Sequence, residues 1–160
     1  MAASMSLKML TPSLACKIIT VPMALCGVAL TSDVLHGKVS EEFEKQFGFG
    51  SWFPPLVGLW EGAIGALIWY EGGAYQSLAM QMLAVVMGGV CYAHAALEGN
   101  VGGCVVPVVF GALSVVVLLD KDPASTPVDV AKVQAGFALL GVVVGLVVSA
   151  LSPGKPKEKK

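Results

Sequence analysis

The spacing of the charges constrains this chain more than any other feature. Between Glu71 and Glu98 lie 26 residues with no formal charge, between Glu98 and Asp120 lie 21, and between Lys132 and Lys155 lie 22. A helix of about 20 mostly apolar residues crosses the hydrocarbon of a bilayer. The three runs therefore predict spanning helices at 75–97, 101–119 and 133–151. A further span is expected at 53–70, apolar apart from Glu61 near its middle. The first hydrophobic stretch is the shortest. Only 15 residues separate Lys17 from Asp33, and Pro22 interrupts them. It reaches the length of a span, about 14–34, if Lys17 snorkels and the helix extends back to Leu14. The same stretch, preceded by Lys8 and Lys17, also has the outline of a signal peptide, although no clear small-x-small cleavage site follows Leu30.

Composition agrees with a membrane chain. Of 160 residues 56% are hydrophobic and 13% charged, with a mean hydropathy of +0.77. Soluble domains carry roughly 25% charged residues, and a chain of this size has too little interior to hide so much apolar surface. The net charge of −1 offers no basic face for nucleic acid. All ten cations are lysine, so the bidentate guanidinium fork is missing as well. The expected architecture is an all-α, polytopic membrane helical bundle. With five spans, six lysines fall on the side of the 34–52 connection and the tail, against four on the other. The positive-inside rule then puts the C-terminus on the cytosolic or equivalent side.

Between the spans, the turns at 71–74 and 98–100 are short enough to make consecutive antiparallel hairpins. The 39–49 segment differs. Val39, Phe43 and Phe47 recur every fourth residue opposite Glu41, Glu42, Glu44 and Lys45, which predicts an amphipathic helix capped by Ser40. It either lies on the membrane or packs on the mouth of the bundle. Residues 120–132 read as a polar, proline-rich linker, and 152–160 as a lysine-rich tail.

Few residues offer chemistry. Glu61 is expected mid-bilayer, where an ionised carboxylate is costly, so it should face the bundle interior and be neutral or paired. The hairpin register places Gln81 within its reach. His94 falls near the far end of the third span, about 20 Å from Gln81 along the helix. It is expected at the membrane interface, hydrogen-bonded to a turn carbonyl or serving as a ligand. His36, Asp33 and His94 share a membrane side but do not have the spacing of a metal site. Cys16, Cys26, Cys91 and Cys104 have no C-x-x-C spacing and read as small hydrophobes. Cys91 and Cys104 come out at comparable depths. Gly58 with Gly62, and Gly141 with Gly145, form small-residue stripes that let helices approach closely, the second stripe being available to a partner helix.

The segments Gly58-Leu-Trp-Glu61-Gly-Ala-Ile-Gly65 and Tyr92-Ala-His94-Ala-Ala-Leu-Glu-Gly99, in this order after an acidic amphipathic stretch, resemble the DoxX-like superfamily of small four-span membrane proteins. The likeness covers about residues 14–119. It implies a four-helix core over 1–119, with Glu61 and His94 as polar positions inside it, and identifies no catalytic residue. Members of that superfamily are associated with quinone-linked sulfur oxidation or oxidant defence in bacteria, and some animal members look like receptor chaperones or cargo receptors. The fifth span and the lack of basic residues after His94 depart from the pattern.

The expected function is that of a non-enzymatic membrane protein, an accessory subunit or an assembly factor working with other membrane subunits. No metal and no cofactor are implied by this reading. Two alternatives stay open: a redox subunit holding a quinone between Glu61 and Gln81, with Cys91 or Cys104 nearby, and a small-solute or proton pathway through Glu61.

Overall fold

The computed structural model describes residues 11–32 and 37–152. They form six α-helices and no strand: α1 (Pro12–Ser32), α2 (Lys38–Phe47), α3 (Phe53–Trp69), α4 (Gln76–Tyr92), α5 (Val105–Lys121) and α6 (Pro127–Leu151). A π turn (Ala93–Glu98) extends α4, and a 3₁₀ turn (Val101–Cys104) leads into α5. The helices Pro12–Ser32, Gln76–Glu98, Val101–Lys121 and Pro127–Leu151 are each long and apolar enough to cross a membrane. The chain is an integral membrane helical bundle.

The structure reverses the order of span lengths that the charges suggest. The first stretch is helical over 21 residues and continues through Pro22, whereas α3 has 17, about 25 Å of rise. It lies antiparallel along α1 nonetheless. A Cβ on Gly27 would come within 2.8 Å of the Gly62 nitrogen, and one on Gly58 within 2.8 Å of the Thr31 nitrogen. Further along, the Trp69 indole donates to the Thr20 hydroxyl at 2.9 Å. These pairs run in opposite senses along the two helices, so α3 lies level with the Thr20–Thr31 part of α1; the span expected at 53–70 is shorter than the four helices long enough to cross a membrane. Bare backbone at Gly27 and Gly58 permits the approach.

The α3–α4 hairpin is fixed at two points. Gln76 Nε2 donates to the Ile68 carbonyl at 3.0 Å, and Trp60 Nε1 to the Met82 carbonyl at 3.2 Å. The chain reverses through a 3₁₀ turn (Tyr70–Gly73) in which Glu71, at φ 48°, is the one non-glycine residue with positive φ among those described. At the other end, the Cys104 thiol approaches the Cys91 carbonyl at 3.6 Å and aligns α4 with α5. A shared apolar core joins α1, α3, α4 and α5: Ala15, Cys16, Ile19 and Met23 meet Ile64, Ile68, Met80, Leu83, Leu113 and Val117.

Helix α6 lies outside that core, against α4 and α5. It starts six residues earlier than the charge pattern indicates, so only 122–126 remain as linker. Thr126 caps it, accepting from the Asp129 N–H at 3.2 Å, with Pro127 in the first turn and Asp129 beside the positive end of the dipole. Lys132 is drawn into the helix as the exposed partner of Asp129 at 3.7 Å.

Helix α2 also starts earlier than expected. Gly37, at φ 66°, is its N-cap, so Ser40 is buried inside the helix instead of capping it. The helix rests on the mouth of the bundle through a chain of rings: Phe43–Phe47 at 5.2 Å, Phe47–Phe49 at 5.8 Å and Phe49–Phe53 at 4.7 Å. Trp52 and Phe53 stand at this end of the bundle, Trp69, Tyr70 and Tyr75 at the other. Aromatic residues at both ends suit the two headgroup regions.

Candidate functional site

Polar side chains gather at two depths. The first is the mouth, where α4 widens into the π turn. His94 and Glu98 stand one turn apart, with Nδ1 and Oε2 2.5 Å apart and both side chains mostly buried. The other carboxylate oxygen of Glu98 accepts from Gln46 Nε2, which ties α2 to the end of α4. The His94 carbonyl accepts from the N–H groups of Gly99 and Asn100, and the Asn100 side chain accepts from Gly103 N–H at 3.3 Å. A Cβ on Gly103 would come within 2.6 Å of the His94 ring, so the imidazole needs bare backbone beside it. Each of these four side chains, His94, Glu98, Gln46 and Asn100, has a partner. His94 stands at the mouth end of α4, and its side chain is held by the Glu98 carboxylate instead of the turn carbonyl that its position suggests. The i,i+4 spacing of His94 and Glu98 was the available signal.

The second depth lies within the bundle. Glu61 is 6% exposed and sits on the buried side of α3 with Gly58, Ile64, Gly65 and Ile68. Its Oε2 has no hydrogen-bond partner. The Trp60–Met82 bond sets Glu61 level with Gln81 and Met82 on α4. Sharing a depth does not bring Glu61 and Gln81 together. Gln81 lies one turn before Val85 on the face of α4 that meets α6, while Glu61 approaches from α3 on another side. No hydrogen bond joins them.

The α4–α6 contact explains that face. The two helices run parallel, and a Cβ on Gly88 would overlap the Ala138 carbonyl, as one on Gly141 would overlap the Val85 carbonyl. A Cβ on Gly145 would come within 2.6 Å of the Tyr92 ring, and the Tyr92 hydroxyl bonds the Ser149 hydroxyl at 3.2 Å. Gly141 and Gly145 thus serve a contact inside the chain. Of the other stripe, Gly58 is crowded, whereas a Cβ on Gly62 would meet nothing within 4 Å; what Gly62 offers is its backbone, to Gly27. Near the start of the α6 seam stands Gln134, 5% exposed, with neither Oε1 nor Nε2 partnered. Its lack of charge hides it in the sequence. Its spacing from Ala138, Gly141, Gly145 and Ser149, by fours and threes, marks it as a seam position.

The four cysteines are free thiols. Cys91 and Cys104 do lie at one depth, but Cys91 is nine residues beyond Met82, so about 14 Å of helix separates it from the level of Glu61. Among the described residues no group of three or more His, Cys, Asp and Glu could hold a metal ion. Asp33, His36 and the tail from 153 onward lie outside the described residues. No family model, no curated protein and no solved structure matches the chain.

Proposed function

We propose that this chain is a non-enzymatic integral membrane subunit, an accessory or assembly factor of a larger membrane complex, which docks a basic segment of a partner on the outer face of α2. The observation that carries this reading is the fixed placement of that helix. Its phenylalanines and Gln46 are committed to the bundle, and Glu41, Glu42 and Glu44 remain exposed, Glu41 paired with Lys45 at 3.7 Å. Three carboxylates held at the membrane surface steer and orient a cationic partner. The likeness to the DoxX-like superfamily supports the same reading through those members that look like chaperones or cargo receptors. In this reading the C-terminus is cytosolic or equivalent, by the lysine balance.

The test is isolation of the chain from its native membrane in mild detergent, with mass spectrometry of everything that travels with it. Partner subunits should co-purify in fixed proportion and be lost from the E41K/E42K/E44K variant while its thermal stability is kept. A monomer with no accompanying protein would sink the proposal.

One observation favours a second reading, a redox subunit that binds a membrane quinone. Glu61 has a buried carboxyl oxygen without a partner, and a neutral carboxyl can donate to a quinone carbonyl. Organic extraction of the purified chain should then yield a quinone that Glu61→Gln retains less well. An extract free of quinone removes this reading and leaves the first untouched.

A further inference from the structure

The α4–α6 seam is tight where glycine allows it, and polar one to two turns earlier. From Gly88 to Ser149 the two helices touch through backbone, with carbonyls seated on bare glycine. One to two turns earlier, at a shared depth, stand Gln134 and Gln81. Gln134 is more than nine-tenths buried with both amide atoms unpartnered. Gln81 is half-buried on the facing side of α4.

An amide left without hydrogen bonds inside a bilayer is costly, because no bulk water reaches it. Here both halves of one amide, a donor and an acceptor in the same plane, are free at once. The group that matches them must itself carry an acceptor beside a donor. A carboxylic acid does so in two parallel hydrogen bonds: its carbonyl accepts from Nε2–H and its O–H donates to Oε1. Because Gln81 is half-buried and Leu78 and Val133 at this depth are exposed on the lipid side of the helices, such a molecule arrives through the bilayer with a hydrocarbon remainder and parts the side chains around Gln134 as it enters.

We propose that Gln134, with Gln81 at its mouth, binds the neutral carboxyl group of a membrane-dissolved fatty acid between α4 and α6. This site is separate from Glu61 and from the acidic face of α2, and it stands or falls independently of both.

The experiment uses the full chain in lipid nanodiscs with a diazirine-bearing palmitic acid as probe, and maps the crosslinks by mass spectrometry. Label should appear on α4 and α6 at 78–85 and 131–138. Unlabelled palmitic acid should compete, and so should palmitamide, which keeps both donor and acceptor. Methyl palmitate keeps only the acceptor and should compete about tenfold less well, the equivalent of one lost hydrogen bond. Gln134→Leu should cut the labelling about tenfold without lowering its melting temperature; Gln134→Met serves if the leucine variant does not fold. Label elsewhere, equal competition by the methyl ester, or unchanged labelling in a folded Gln134 variant would each overturn the site. The last two outcomes assign the two amides to water or to each other.

Discussion

The mouth of the bundle and its interior handle polar groups in opposite ways. At the mouth His94, Glu98, Gln46 and Asn100 are bonded to one another or to backbone. Inside, Glu61 and Gln134 are more deeply buried and leave three side-chain atoms unpartnered. Burial without partners is the more expensive arrangement. The difference teaches which groups assemble the fold. Those at the mouth hold α2 and the turn to the end of α4, whereas the interior pair are carried by helices that pack through apolar side chains and glycine.

Substitutions can break or sharpen this contrast. The largest effect is expected where neither kind of polar group acts. Gly141→Val places a side chain on the Val85 carbonyl and should lower stability by about 3 kcal/mol or more, read as thermal unfolding in detergent. Gln134→Leu comes next and has the opposite sign. Removing two unpartnered amide atoms should raise stability by about 1–2 kcal/mol, and a clear loss would mean that Gln134 assembles the seam after all. Glu98→Ala deprives His94 and Gln46 of their shared partner and should cost about 1 kcal/mol, since the cluster is partly open to solvent. It should also make α2 more accessible to protease, which separates local release from general weakening. Tyr92→Phe is the smallest, about 0.5 kcal/mol for one hydroxyl pair. Should Gln134→Leu and Glu98→Ala prove equally harmful, the division between mouth and interior has no basis.

Much of the fold is legible in the charge spacing. Glu71, Glu98 and Asp120 bound their runs closely, because a charge in hydrocarbon is costly enough to mark each helix end. Lys132 misleads: one exposed lysine paired with Asp129 sits inside α6, since Thr126 and Pro127 begin the helix before the charges stop. The α4–α6 pairing is hidden for another reason. Neighbouring spans meet because a short turn forces them to, but α4 and α6 are separated by α5, and nothing in a single helix names the distant carbonyl that will rest on Gly88. Glu61 could be picked out as an acid in an apolar run. Gln134 could not by charge, for an amide carries none, and only its burial in the folded chain shows that it is stranded.

Time gives the placement of α6 a further consequence. The four helices that share the core are complete once Lys121 has been made, while the last helix joins only from outside. During synthesis the inner bundle can therefore close first and present the glycine groove of α4 as a finished surface. The five residues at 122–126 reach at most about 18 Å, so the incoming helix is delivered beside α5 and has little room to find another molecule's groove. Order of manufacture and length of tether together favour a cover made from the same chain over an exchange between copies.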